Sequence, residues 1–401
     1  MLGLDVNKDR TWISQRLNNV LSLNSMVAAR IRELALKTEG VIKLTSGEPN
    51  FQTPNHIVDA AKRALDEGDI FYTPTSGIPE FRRAIAEKVA REHGVEVDSD
   101  NNILATPGAI EGIFLAIMGA VNPGDEVLIP DPCYVVYPSC IQFAGGSPIP
   151  IPLSADDDFR LNPVELEQRI TPSSRMIVLN SPSNPTGMII TDHDLKAIAE
   201  IAEKHDLLVL TDEAYEKIVY DGVKHKSILS ISGMKERTIL IGSFSKTYAM
   251  TGWRIGYLVG PETLVPALKK IQSVIVLCTN GIVQKAAVAA LAGPQNCVTE
   301  MVDEYDRRRR FIVQRLNDIA GFSCPTPKGA FYVFPDVTEL KVGSLKLAEF
   351  LLRKAKVAVY PGIAYGQPGE HNIRLSYAAS LSDIKTALDR IETALEHNTL
   401  D

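Results

Sequence analysis

The segment TILIGSFSKTYAMTGWRIGY, residues 238–257, runs an apolar β-branched stretch into a loop of small and hydroxylated residues. Residues 238–241 read as a buried strand, and Gly242-Ser243-Phe244-Ser245-Lys246 follow as the turn at its end. Lys246 thus stands just past a buried strand, between two hydroxyls and close to an aromatic ring. Desolvation there disfavours the ammonium form, and a deprotonated amine attacks carbonyls. Arg254 opens a second strand-like run and keeps its charge at any working pH, which suits a phosphate or a carboxylate. The plainer alternative is a surface lysine and a strand-end arginine in ordinary ion pairs.

N-terminal to this segment, strands and helices alternate. Strands are expected at 103–105, 126–129, 148–153, 176–179 and 207–210. Helices are expected at 55–67, 79–92, 109–121, 134–143, 163–170 and 192–204. The strand runs are mostly continuously apolar, as when helices cover both faces of a mostly parallel sheet. Further upstream, Met26, Val27, Ile31, Leu34 and Leu36 recur at helical spacing, and residues 41–44 form a short strand. That strand breaks into Thr45-Ser46-Gly47-Glu48-Pro49-Asn50, where Gly47 permits a close backbone approach. After Gly260 the rhythm changes. Long helices over 261–277, 283–291 and 299–319 precede short strands at 331–334, 357–360 and 372–377 and a last helix from 382 to about 396. We divide the chain into an N-terminal segment (1–45) packing with the smaller domain, a large domain (46–290) and a smaller α+β domain (291–401).

The 401 residues carry a net charge of −7, which argues against a nucleic-acid partner. The one basic run, 307–310, follows Glu304 and Asp306 on a helical stretch and reads as a solvated helix face. Asp5, Lys8, Asp9 and Arg10 leave no apolar core for a signal peptide, and no run of about twenty apolar residues occurs, so a soluble cytoplasmic protein is expected. The five cysteines are scattered without a CxxC, and the seven histidines are dispersed, so neither a disulfide framework nor a metal site is expected.

Open α/β sheets bind ligands at the carboxyl ends of their strands. Three such ends carry chemistry here. The strand at 176–179 leads to Asn184-Pro185-Thr186-Gly187, that at 207–210 to Asp212 and Tyr215, and that at 238–241 to Ser243 and Lys246. A fourth leads to Gly108-Ala109 at a helix N-terminus, where free N–H groups favour an anion. Singly these are a turn, a helix cap and a loop glycine. Together they supply a phosphate cradle (Gly108, Ala109, Ser243, Ser245, Arg254), a nucleophilic amine, a buried carboxylate and two hydrogen-bond donors. Pyridoxal 5'-phosphate needs that set: an amine for its aldehyde, an acid for its ring nitrogen, donors for its ring oxygen and an anion site.

In order and spacing these motifs resemble those of the class I aminotransferases, the fold-type I pyridoxal-phosphate enzymes, from Gly47 to Arg374. The resemblance implies a three-layer α/β large domain with a mostly parallel sheet and a smaller α+β domain. It also implies a role for each matching residue. Lys246 resembles the Schiff-base lysine that moves the proton, and Asp212 the partner of the ring nitrogen. Tyr215 and Asn184 resemble the contacts to the ring oxygen, and Tyr134 the aromatic stacked on the ring. Gly108, Ala109, Ser243 and Arg254 resemble phosphate contacts, and Ile110 and Ser245 are counted with the cofactor site. Tyr72 matches a tyrosine that reaches the neighbouring subunit's phosphate, which implies a homodimer. Arg374 resembles the arginine that forks onto the substrate α-carboxylate, and Gly47 the loop glycine against the substrate.

The implied activity is ping-pong transfer of an amino group from an L-amino acid to a 2-oxo acid, 2-oxoglutarate being the usual partner. Some aspartate-preferring relatives carry a lysine where Ile110 stands, and no second arginine is evident, so a pocket that takes apolar, aromatic and acidic side chains is expected. Two alternatives stand beside it: a C–S β-lyase or other reaction on the same scaffold, and a non-catalytic effector-binding module.

Overall fold

The computed structural model describes residues 14–21 and 25–400. The charged residues 5–10 and part of the N-terminal segment lie outside that range. The strands in chain order are β1 (Ile42–Lys43), β2 (Ile103–Thr106), β3 (Glu126–Asp131), β4 (Ser147–Pro152), β5 (Ser174–Asn180), β6 (Leu208–Asp212), β7 (Thr238–Ser243) and β8 (Gly256–Val259), then β9 (Tyr332–Val333), β10 (Val357–Ala358), β11 (Tyr360–Pro361) and β12 (Ile373–Ser376). β2 to β8 form one seven-stranded sheet in the order β2-β8-β7-β6-β5-β3-β4. Only β8 runs against its neighbours β2 and β7.

Both faces of this sheet are covered, which explains its uninterrupted apolar strands. Ile239 and Ile241 of β7 join the cluster that includes Ile113, Ile117 and Tyr137, under the helices Ala109–Ala120 and Val136–Ala144. Leu240, between them, joins the opposite cluster with Ile57, Phe81 and Ala286, under Asn55–Asp66, Pro79–His93 and Gly281–Ala292. All three side chains are buried, each contributing about 1.5–3 kcal/mol of apolar burial. Helix ends follow local chemistry. Pro79 starts its helix and left-handed Gly94 ends it, while the Thr191 hydroxyl caps Asp192–Lys204 by accepting from the Asp194 amide.

The C-terminal region packs the antiparallel sheet β11-β12-β9 with the helices Asn296–Asp318 and Leu381–His397 around Tyr305, Ile312, Phe331, Leu375 and Ile391. Ile31 and Leu44 belong to the same core, because β1 pairs in parallel with β10. The loop after β1 reaches the carboxyl end of β7, where the Gly47 carbonyl meets Lys246.

Several expectations need correction. The helix expected over 163–170 stops at Glu167. The strand expected over 357–360 is two strands, β10 pairing with β1 and β11 with β12. Arg254 does not begin a strand but sits in left-handed backbone, φ 56°, just before β8. The basic run is not a solvated face. Arg308 and Arg309 are buried, bonded to Glu304 and to Asp221 and Asp306, while Arg307 and Arg310 lie outside.

Candidate active site

The carboxyl ends of β5, β6 and β7 open on one cavity of about 240 Å³. β6 delivers Asp212, which is buried. Its Oδ2 accepts a hydrogen bond from the Tyr137 hydroxyl at 2.8 Å, and its Oδ1 accepts from the Ala214 amide at 3.1 Å. Burial raises the Asp212 pKa and the neighbouring Glu213 charge adds to the rise, against those two donors and Lys246. A cation placed beside this carboxylate would restore its ionised form. Three residues on, the Tyr215 hydroxyl meets that of Tyr332 at 2.8 Å.

β7 delivers Ser243, Ser245 and Lys246 to the same cavity. Lys246 is half-buried, and its ammonium donates to the Gly47 carbonyl. Burial lowers its pKa to about 8; Arg374 and Arg254 act in the same direction, and Glu48 and Asp212 oppose them. β5 delivers Asn180 and Asn184. The Asn180 side chain accepts from the Asn184 amide at 2.9 Å and donates to the Asp212 carbonyl at 3.1 Å, which ties two strand ends together.

Arg254 reaches the cavity because β8 is reversed: the residues before its first strand position lie at the same edge as the ends of β2 and β7. Its guanidinium donates to the Thr251 carbonyl at 2.9 Å and lies against Gly108, the residue preceding the helix Ala109–Ala120. Gly108 has φ 84° and ψ 167°, a region open almost only to glycine, and a Cβ there would collide with Arg254. The alanine variant at Gly108 is therefore expected to lose about 1–3 kcal/mol of stability and to bind phosphate about tenfold more weakly. Thermal melts and a phosphate titration check this, and unchanged values would remove Gly108 from the anion cradle.

Ala109, Ile110 and Tyr134 also line the cavity. Tyr134 packs edge-on against Tyr137 with centroids 5.8 Å apart, and burial pushes its hydroxyl up to about 12. Gly47 approaches so closely that a Cβ would lie 2.9 Å from the Tyr332 hydroxyl. Arg374 comes from β12, across the cavity from Lys246, and is buried. It donates to Asn184 Oδ1 at 3.0 Å and to the Thr45 carbonyl at 2.7 Å. Its guanidinium carbon lies 4.2 Å from the Tyr332 ring centre, 5.0 Å from Tyr360 and 5.2 Å from Tyr365. Its Nε has no protein partner.

One expected residue is not brought in. Tyr72 is 85 % exposed, beside exposed Phe71 and Ile70, and does not line the cavity of its own chain. Conversely, Tyr137, Asn180, Tyr332 and Tyr360 line the cavity without having been singled out. Tyr137 had a signal: it follows Tyr134 by three residues at a helix start. Tyr332 had none, because it arrives from a distant part of the chain.

Residues 39–391 match the family described as aminotransferase class I and II. The chain belongs to that family. The aminotransferase is 42 % identical over 390 residues to the aromatic-amino-acid aminotransferase 2 of Thermococcus litoralis, covering 97 % of this chain and 99 % of that one. It is 41 % identical to the aspartate aminotransferase of Pyrococcus abyssi, with the same coverage. Among solved structures it is similar to the aspartate aminotransferase of Thermus thermophilus with maleate, with a TM-score of 0.90 at 35 % identity, over 96 % of this chain and 99 % of that one. The chain is thus a transaminase of fold type I, its seven-stranded mostly parallel sheet included.

Proposed function

We propose that this aminotransferase uses pyridoxal 5'-phosphate to move an amino group from an L-amino acid to a 2-oxo acid, 2-oxoglutarate among them, in a ping-pong sequence. The observation that carries this reading is the convergence of Lys246, Asp212 and Arg374 on one cavity. The donor set fits the cofactor: an amine at about 8, a buried carboxylate raised by desolvation, and a glycine in left-handed backbone against the Arg254 guanidinium at a helix N-terminus. Asp212 would hold the ring nitrogen, Tyr215 and Asn184 the ring oxygen, and Tyr134 the ring face. Gly108, Ala109, Ser243, Ser245 and Arg254 would hold the phosphate. Bound there, the cofactor supplies an aldehyde and a protonated ring that draws electrons from the substrate Cα. Arg374 would orient the substrate through its carboxylate, and Lys246 Nζ would take and hold the Cα proton.

The cations lining the cavity among the described residues are Lys246, Arg254 and Arg374, and each has a task in this scheme. Side-chain recognition therefore falls to Ile110, Tyr360 and their neutral neighbours, or to a second subunit. We expect apolar, aromatic and acidic donors all to be accepted. A panel of alanine, phenylalanine and aspartate against 2-oxoglutarate, pyruvate and oxaloacetate tests this. Transfer from none of them sinks the reading, and release of pyruvate and ammonia from a β-substituted donor favours a lyase.

We further assign 46–290 to a cofactor-binding domain and 291–401 to a smaller one that holds residues 1–45, a reading supported by Ile31 and Leu44 in the C-terminal core. A homodimer in which Tyr72 reaches the neighbouring phosphate is part of the same proposal. Its support is an exposed apolar surface over Ile70, Phe71 and Tyr72 and over residues 274–277. No described helix is long and apolar enough to cross a membrane, and we place the protein in the cytoplasm.

A further inference from the structure

Side chains alternate along a strand, so Glu213, one residue after Asp212, points away from Tyr137. The Glu213 amide still donates to the Ile241 carbonyl at 3.0 Å, which keeps it in the sheet ladder. Its carboxylate is almost wholly buried. Oε1 accepts from the Thr211 hydroxyl at 3.0 Å and the Ser227 hydroxyl at 2.6 Å, and Oε2 lies 2.8 Å from His225 Nε2. Nearby, Glu216 pairs with Lys88 at 2.8 Å, Lys88 also reaches Glu92 at 2.9 Å, and Lys217 reaches Glu92 at 2.8 Å. His93, at the end of Pro79–His93, completes the group within 4.8 Å of Glu213 and Glu216. This is not a cation site, since both Glu213 oxygens already have partners and an ammonium sits on Glu216.

Lys88, Lys217 and the more exposed Arg91 lie on Glu216 and Glu92, whereas the ionisable group in contact with the Glu213 carboxylate is His225. A buried carboxylate left without a counter-charge is strongly unfavourable. Burial alone would lower the His225 pKa, but Glu213 and Glu216 outweigh it and raise it, with Lys88 opposing. Burial likewise works to raise Glu213, yet His225, His93 and Ser227 hold it at about 2. Burial keeps the His93 pKa below its usual value.

We propose that His225 is a positioning residue for cofactor binding: as an imidazolium it neutralises Glu213, so that Asp212, one residue earlier, stays ionised against the ring nitrogen. The inference rests on the reading of the cavity as a pyridoxal-phosphate site. Two adjacent buried carboxylates with one counter-charge removed compete for a proton. If Asp212 takes it, the ring nitrogen loses its counter-ion. The groups facing His225 are Glu213 at the end of β6, Glu216 just beyond it, and Lys88 and His93 from the helix Pro79–His93. Its imidazolium is present below the raised pKa and is lost as pH rises through it, so cofactor retention should fall on the alkaline side.

The test is cofactor retention by the holoprotein, measured as loss of visible absorbance on dilution between about pH 7 and about pH 9, for the natural chain, His225→Gln, Glu213→Gln and the double variant. His225→Gln is expected to hold pyridoxal phosphate about tenfold more weakly. The double variant, which needs no imidazolium, is expected to return to within about threefold of the natural chain. A purely structural role for His225 would not produce that rescue. Glu213→Gln alone should retain cofactor evenly over this pH range, which decides the matter even if His225→Gln does not fold. Unchanged retention in His225→Gln, absence of rescue, or a Glu213→Gln profile that still falls with pH overturns the inference while leaving the cofactor assignment intact. Failure of the natural chain to bind pyridoxal phosphate removes both.

Discussion

Replacing Lys246 by alanine is expected to slow amino-group transfer by a factor of at least about 10³. It should also abolish the visible absorbance acquired with pyridoxal phosphate. Both expectations follow from where the amine sits. Burial brings its pKa to about 8, so at pH 8 about half of it is free amine, against well under one per cent for an ordinary lysine. In the proposed function a free amine is needed twice: to bond the aldehyde and to take a proton from the substrate Cα. Arginine at 246 separates this from mere positive charge. It keeps the charge and has donors within reach of the Gly47 carbonyl, but it cannot be deprotonated. Lys246→Arg should therefore be as inactive as Lys246→Ala. In the cofactor-free protein, labelling of Lys246 by an amine-reactive aldehyde should rise with a midpoint near pH 8. Substantial transfer by either variant would show that another base does the work.

The large sheet was legible because its strands are buried on both faces. Continuous apolar runs such as 238–241 then coincide with real strands, and the residues just past their ends coincide with a cleft. Lys246, Asp212 and Asn184 were all found by that rule. What it misses is anything that approaches the cleft from elsewhere. Tyr332 and Tyr360 sit on strands two residues long, too short to carry a period; Tyr332 meets Tyr215 from a distant part of the chain, and Tyr360 faces Arg374 only because β11 and β12 pair. The arginine run shows the opposite failure. Met301, Tyr305, Ile312 and Leu316 mark the buried face of Asn296–Asp318, and positions three and four beyond Tyr305 are Arg308 and Arg309. Helical geometry therefore forces two of four consecutive arginines inward, where acids must meet them. Composition suggested a wet face, and spacing, applied strictly, would have predicted these two. Tyr72 differs again: it was chosen by resemblance alone, and in the structure it is exposed and away from the cavity of its own chain.

Truncating Arg374 to alanine is expected to lower kcat/KM for amino acids by between about 30-fold and several thousand-fold, the range for removing one partner of a buried, hydrogen-bonded charge pair. The guanidinium has five N–H donors. Two bonds go to Asn184 and Thr45, and the Nε hydrogen has no protein partner, so a planar edge remains for a carboxylate. Tyr332, Tyr360 and Tyr365 fix the plane of that edge, and a flat, pre-oriented fork is what a carboxylate binds best. Lysine at 374 keeps the charge but loses the fork and the stacking, so Arg374→Lys should recover only a small part of the loss. Alanine also removes packing from residues that join β1, β5 and β12, so some loss of thermal stability is expected alongside. Specificity separates the two effects. The natural enzyme should prefer an amino acid over the matching amine without a carboxyl group by a large factor, and in Arg374→Ala that preference should collapse while the poor rate with the amine changes little. A preference that survives intact would place the substrate carboxylate elsewhere and leave Arg374 as a structural tie between the C-terminal sheet and the cleft.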